Sequence, residues 1–293
     1  MKKLTDNVFL LGNRHFNYFM VGERETAIVE CGVTGGVVSL EAQWSQLESK
    51  PNVKYLVAMH AHFDHVCGIP RLREFFPQAQ VLASEKAQKV LAKPKIVTSF
   101  FDQDGKMSET LVRDGILSMK SPPQKPTRIE VDQIIRDGDV IELANDVKLE
   151  VMAAPGHSPC SVACYLPQDR VMFLSDAGGF QISDEDIFPI FFQGYDRYVQ
   201  TNEILMGFPT RALGLPHGTI WGGDEVNLFY QRALESARTA FDSIRTMVND
   251  GIDEETMKGE LFSRYYRGAL RIYTPENIDI CLELLIRRVK ECL

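Results

Sequence analysis

The sequence concentrates reactive groups in one stretch, His60-Ala61-His62-Phe63-Asp64-His65. Three imidazoles and a carboxylate within six residues are the nitrogen and oxygen donors that zinc, iron or manganese accept. A wet, histidine-rich loop is the bland alternative, and the other histidines weigh against it. The chain has six histidines, and those outside the cluster are His15, His157 and His217. His60 follows the β-prone run Val53 to Met59, and His157 closes Ala154-Pro155-Gly156 after the alternating run Val147 to Met152. Asp176 ends the run Val171 to Ser175, and His217 follows Ala212 to Pro216 and precedes Gly218. Each polar group terminates its own apolar segment. Strand ends lying side by side on a sheet edge bring such groups together despite their distance in sequence. His15 belongs to no ligand motif and reads as a structural histidine.

The order of these motifs resembles the metallo-β-lactamase-fold hydrolases: a His-x-His-x-Asp-His cluster, a Gly-His loop, an Asp at the end of the next apolar run, and a final His-Gly. The resemblance covers roughly residues 7–223. It implies an α/β fold, a four-layer αββα sandwich with the metals at one edge of the paired sheets. Carried over by position, it implies that His60, His62 and His157 hold one metal, that Asp64, His65 and His217 hold a second, and that Asp176 bridges them. The family pattern has Asp where this chain has Glu30. A longer carboxylate there can still support the metal loop through a ligand, and an exposed strand-end Glu is the competing reading.

Two divalent ions roughly 3.5 to 4 Å apart lower the pKa of a bridging water, supply hydroxide and polarise the oxygen under attack. This ligand set therefore implies hydrolysis without a protein nucleophile. Asp64 or Asp176 is a candidate proton acceptor, although charge balance is the first role of a metal-bound carboxylate, and Asp176 is expected to fix the intermetal distance. Zinc is the first choice of metal, with iron or manganese as alternatives. Many true β-lactamases of the family carry cysteine at the position of Asp176, and the flavodiiron oxidoreductases carry glutamate at that of His62. Both activities are thereby disfavoured. The expected substrate is a small thioester or ester of the acyl-coenzyme A or acyl-glutathione type. The alternatives are a phosphodiesterase or small nuclease, and a metal-binding regulatory protein acting through a partner.

The elements that must position these groups are legible in part. Val8 to Leu11, Asn17 to Val21 and Thr26 to Val29 read as strands, Ser39 to Leu47 and Ile69 to Phe76 as helices, and Val81 to Glu85 as a strand. From about Lys89 to Arg128 the sequence is poorly patterned and reads as a lid or binding loop, or as a plain solvated excursion, with Phe100 and Phe101 its best candidates for substrate or core contact. Ile134 to Leu143 resumes the fold around a tight turn. Beyond residue 223 the spacing of Phe229, Ala233, Ala237 and Phe241, and of Ile278 to Leu293, predicts amphipathic helices. The expected division is thus a metal domain over 1–223 and a helical extension over 224–293. Hydroxyacylglutathione hydrolases and the quinolone-signal response protein, an aminobenzoylacetyl-coenzyme A thioesterase, are similar in having helices after the metal domain. Arg264-Tyr265-Tyr266-Arg267 in this extension is a candidate patch for an acidic or conjugated substrate, with a solvated helix face as the more usual reading of basic residues.

A formal net charge of −8 argues against long nucleic acid as a partner. No run reaches transmembrane length, so no membrane partner is expected. The six cysteines, with no signal sequence recognised at the start, read as reduced thiols and predict a cytoplasmic protein. Cys67 and Cys160 lie close in sequence to proposed ligands, yet read first as small buried hydrophobes. Oligomeric state is not encoded in any of these signals.

Overall fold

Alternation of side chains along the strands sets how the chain stacks. The computed structural model describes residues 1–120 and 124–293, so Ser121, Pro122 and Pro123 of the expected proline-rich excursion lie outside the described residues. Strands β1 (Lys2–Lys3), β2 (Val8–Gly12), β3 (Asn17–Val21), β4 (Glu25–Val29), β5 (Asn52–Val57), β6 (Gln80–Ser84) and β7 (Gln133–Ile135) form the first sheet in chain order. β1 to β4 pair antiparallel, and β4 to β7 pair parallel. The turn at Asp137-Gly138 carries the chain across to the second sheet, where β8 (Val140–Glu142), β9 (Lys148–Ala153), β10 (Val162–Leu166) and β11 (Val171–Phe173) pair antiparallel. A separate hairpin of β12 (Phe180–Gln181) and β13 (Ile187–Phe188) follows. β14 (Ala212–Gly214) then adds parallel to β11, and β15 (Trp221–Gly222) closes the edge.

On β9, Leu149 and Val151 turn inward while Lys148 and Glu150 stay exposed. On β3 both faces are buried: Phe19 and Val21 enter the core between the sheets, whereas Tyr18 and Met20 join the helical core outside. That pattern marks a strand covered on two sides. Helices α1 (Thr34–Ser45), α2 (Phe63–Val66), α3 (Ile69–Phe75), α4 (Glu85–Leu91) and α5 (Pro94–Arg113) contribute to this outer core of the first sheet. α6 (Tyr195–Met206) and the first half of α7 (Glu225–Asn249) cover the second through Leu205, Val226, Phe229 and Ala233. The result is the expected four-layer αββα sandwich with helices at its C-terminal end. The second half of α7, with α8 (Glu254–Tyr265) and α9 (Pro275–Lys290), shares one apolar cluster with α1 and α5. Among the described residues, no helix is long and apolar enough to cross a membrane.

Two expectations about helices need correction. The stretch 89–128 is not an open loop, because α4 completes in it and α5 fills residues 94–113. The buried residues of α5 are Val97, Phe101, Asp104, Met107, Ser108, Thr110 and Leu111. Three of the seven are polar, which blurs the helical period in the sequence. α1 starts at Thr34 rather than Ser39, through Gly35 and Gly36. A Cβ on Gly36 would lie 2.4 Å from the Tyr18 hydroxyl, so glycine lets the helix approach the sheet. Val33 at its N-cap offers no side-chain acceptor, and Asp104 of α5 supplies one instead, accepting from Thr34 N–H at 2.8 Å. Asp104→Ala strips this buried donor of its acceptor. The expected loss is about 1–3 kcal/mol of stability in urea unfolding; an unchanged midpoint would contradict the capping role.

Candidate metal centre

Parallel pairing explains why the reactive groups meet. β4 and β5 end side by side, which places Glu30 beside the loop that carries His60 to His65, and β11 and β14 end side by side before Asp176 and His217. β9 runs in the same direction as β11 through the intervening β10, and so delivers His157 to the same edge. After β5 the chain makes the single turn of α2, with Asp64 and His65 both buried on it. At Gly156 the backbone has φ 123° and a Cβ would lie 2.3 Å from Tyr198 Cα, so only glycine fits before His157. Asp176 sits on the 3₁₀ turn Ser175–Gly178, entered through Ser175 at φ 49°. Glu30 also has positive φ, 73°. Backbone strain of this kind is concentrated where a side chain must be aimed.

Two donor clusters result. His60 Nε2, His62 Nδ1 and His157 Nε2 form a triangle with sides of 3.1, 2.9 and 3.2 Å. Two ligands each about 2.05 Å from one tetrahedral ion lie roughly 3.3 Å apart, so the triangle fits one face of such an ion. Asp64, His65 and His217 form the second cluster. Asp64 Oδ2 is 3.5 Å from His65 Nε2 and 3.6 Å from His217 Nε2. Asp176 lies between them, with Oδ2 3.3 Å from both His157 Nε2 and His65 Nε2. Asp176 Oδ1, His65 Nε2 and His217 Nε2 are buried without a hydrogen-bond partner. Orphaned polar atoms aimed at one point are what a cation would satisfy.

The far nitrogens fix the ring tautomers. His157 Nδ1–H donates to the Ile190 carbonyl at 2.9 Å, and His217 Nδ1–H donates to the His15 carbonyl at 2.8 Å. His65 Nδ1–H donates to Glu30 Oε2 at 2.8 Å, and His60 Nδ1 meets Ser175 Oγ at 3.1 Å. For His157 and His217 the lone pair is therefore left on Nε2, facing inward. Burial, reinforced by neighbouring imidazoles, holds His60 well below the usual histidine range and His62 down at about 3. Burial also lowers His157. His65 is the exception: burial works against its charge, but Asp176, Glu30 and Asp64 outweigh it and hold it well above that range. Burial tends to raise the two aspartates as well, yet His65 and its neighbours keep Asp64 well below the carboxylate range and Asp176 at about 2.

All seven residues singled out from the sequence come together here. Glu30 is buried against His65 rather than exposed at a strand end. His15 contributes its backbone carbonyl, and its ring lies 3.7 Å from Asp114. Cys67 and Cys160 are buried free thiols outside both clusters. Sequence reasoning missed Ser175, although it adjoins Asp176. It also missed Tyr273, whose hydroxyl donates to Asp64 Oδ2 at 2.6 Å and whose phenol burial pushes well above its usual range, with Asp64 and Asp176 adding to the shift. No spacing rule links residues 209 positions apart. Phe100 lines the cleft over the clusters, whereas Phe101 is core. The cleft has a volume of about 180 Å³ and is walled chiefly by Phe63, Phe180, Phe188, Phe192, Leu270 and Ile278. Arg264 and Arg267 do not reach it; they border a different surface hollow with Asp186 and Glu235.

A family model described as the metallo-beta-lactamase superfamily matches residues 12–252. Glyoxylase B2 of Dictyostelium discoideum is 24% identical over 136 residues, 45% of this chain and 39% of that protein. The uncharacterized protein YobT of Bacillus subtilis (strain 168) is 24% identical over 172 residues, 57% of this chain and 65% of that protein. The matched regions thus span less than two thirds of either relative. Among solved structures, the archaeal metallo-beta-lactamase superfamily protein ST1585 from Sulfolobus tokodaii aligns at a TM-score of 0.61 and 17% identity, covering 97% of this chain and 98% of that one. That likeness speaks for the fold. With the family model spanning most of its length, the chain belongs to the metallo-β-lactamase superfamily.

Proposed function

We propose that this protein is a dinuclear metal-dependent hydrolase of thioesters, of the acyl-coenzyme A or acyl-glutathione type, with zinc preferred over iron or manganese. In this reading His60, His62 and His157 hold one ion, Asp64, His65 and His217 hold the other, and Asp176 spans them. The observation that carries it is an apolar cleft set directly over both donor clusters, with His62, Asp64, His157 and Asp176 in its floor. Divalent ions held there would supply Lewis acidity toward the scissile carbonyl and a water of lowered pKa. The chain's own residues do the rest. The phenylalanines of the wall receive the acyl group and exclude bulk water, which strengthens the electrostatics at the floor. Asp64 and Asp176, as carboxylates, would balance the metal charge.

One feature favours a thioester over a phosphodiester: among the described residues no lysine or arginine lines the cleft, so a phosphodiester would find no cationic side chain there. Cys281, the one thiol among the described lining residues, is pushed up to about 12 by burial and by Asp64 and Asp176, which keeps it protonated and fits attack by water rather than by a protein thiol. The sequence resemblance to hydroxyacylglutathione hydrolases and the match to a protein named glyoxylase B2 support the same substrate class.

Metal-loaded protein is expected to turn over members of an acyl-coenzyme A and acyl-glutathione panel and to lose that activity with chelator. Asp176→Ala is expected to lower kcat/KM by more than about 100-fold. Hydrolysis of a bis-nitrophenyl phosphate ester without thioester turnover would overturn the reading. Metal loading should also release the proton that the three carboxylates hold on His65. Calorimetric titration of metal in buffers of different ionisation enthalpy at pH 7 should therefore show proton release. Glu30→Gln removes one of those carboxylates and should reduce it; equal enthalpies in all buffers would contradict the assignment.

A further inference from the structure

Asp64 stands on a single-turn helix of four residues, which is too short to fix the rotation of a carboxylate by itself. The oxygen it turns toward His65 and His217 is Oδ2, the same oxygen that accepts the Tyr273 hydroxyl at 2.6 Å. A short hydrogen bond to a carboxylate is charge-assisted and strongly directional. Tyr273 comes from the far end of the chain, between the 3₁₀ turn Gly268–Ile272 and α9. Its placement is itself supported. The Tyr266 hydroxyl donates to the Tyr273 carbonyl at 2.9 Å, and the Tyr273 ring meets Phe63 and Phe180 edge-on at 6.2 and 5.5 Å. One turn into α9, Asn277 donates to Gln103 of α5 at 2.8 Å, closing the helices over the cleft.

We propose that Tyr273 is the positioning residue of the second metal site: its hydroxyl aims the Asp64 carboxylate, so that this site is complete only when the C-terminal helices are docked. The proposal rests on the dinuclear reading above and extends it to a residue outside the ligand motifs. It also gives Tyr266 of the Arg264 to Arg267 motif a task, since that residue holds the backbone of Tyr273 rather than facing a substrate. The first site, built from His60, His62 and His157, makes no contact with Tyr273 and should not feel its loss.

The test is zinc stoichiometry by native mass spectrometry and stepwise affinity by chelator competition, on wild type, Tyr273→Phe, Asp64→Ala and the double variant. Phenylalanine keeps the ring and removes one oxygen. The expected result is two ions in wild type, with one stepwise affinity of Tyr273→Phe reduced about 10- to 100-fold and the other unchanged. Adding Tyr273→Phe to Asp64→Ala should then cost nothing more, because the carboxylate it positions is gone. Equal weakening of both ions, no weakening of either, or additive losses in the double variant would overturn the proposal. Fewer than two ions in wild type would instead remove the dinuclear reading on which it stands. A Tyr273→Phe protein that fails to hold any metal counts as equal weakening.

Discussion

Asp176 is a carboxylate buried between imidazoles on two sides, 3.3 Å from a ring nitrogen of each of two clusters, and the fold has to neutralise it. Burying such a charge without compensation is far costlier than any single contact in the core. Within the chain the compensation comes from His65, which burial alone would discharge and which three carboxylates keep charged. One proton cannot satisfy both clusters, however. Asp176 Oδ1 and the inward nitrogens of His65 and His217 remain without hydrogen bonds. Divalent cations at the two centroids would replace that proton and satisfy all of these atoms at once, which is why the arrangement reads as a metal centre and not as a buried ion-pair network.

The sandwich is what allows the clusters to face one another. Glu30 and the His60 to His65 loop hang from the first sheet, whereas His157, Asp176 and His217 hang from the second. Neither cluster exists unless the two sheets stack in register. The core between them is therefore part of the site: Met59, the residue before His60, packs there with Val57, Leu149 and Val151. Across the same interface the rings of Phe19 and Phe173 meet at 5.1 Å. The C-terminal helices add the cleft wall from outside, through Leu270, Tyr273 and Ile278. Rigid sheet edges thus carry the donors, and helices from a distant part of the chain shape the space above them.

Four of the seven candidate ligands, His60, His157, Asp176 and His217, are legible because each follows an apolar run, and runs that end in parallel neighbours share an edge; His62, Asp64 and His65 are legible from their spacing behind His60. Alternation and helical spacing make β2 to β5, α3 and α9 readable to within a few residues, and show the middle of α7 but not its extent to Asn249. What escaped was whatever depends on contacts across the fold. α5 reads as a loop in the sequence because the buried polar residues Asp104, Ser108 and Thr110 interrupt its apolar stripe, and Asp104 is there to cap another helix. The start of α1 was missed because Gly35 and Gly36 lower helix propensity while admitting Tyr18. Ser175 and Tyr273 act on ligands through single hydrogen bonds, which leave no periodic trace in a sequence. The orientation of Glu30 was open for the same reason, since exposure and burial of one carboxylate at a strand end look alike until the strand has neighbours.

The account stands or falls on two cations meeting these side chains. The most direct measurement is anomalous diffraction at the zinc edge from crystals grown with zinc. Two peaks about 3.5–4 Å apart are predicted, one among His60, His62 and His157, the other among Asp64, His65 and His217, with Asp176 in contact with both. A single peak, or peaks away from these residues, would contradict it.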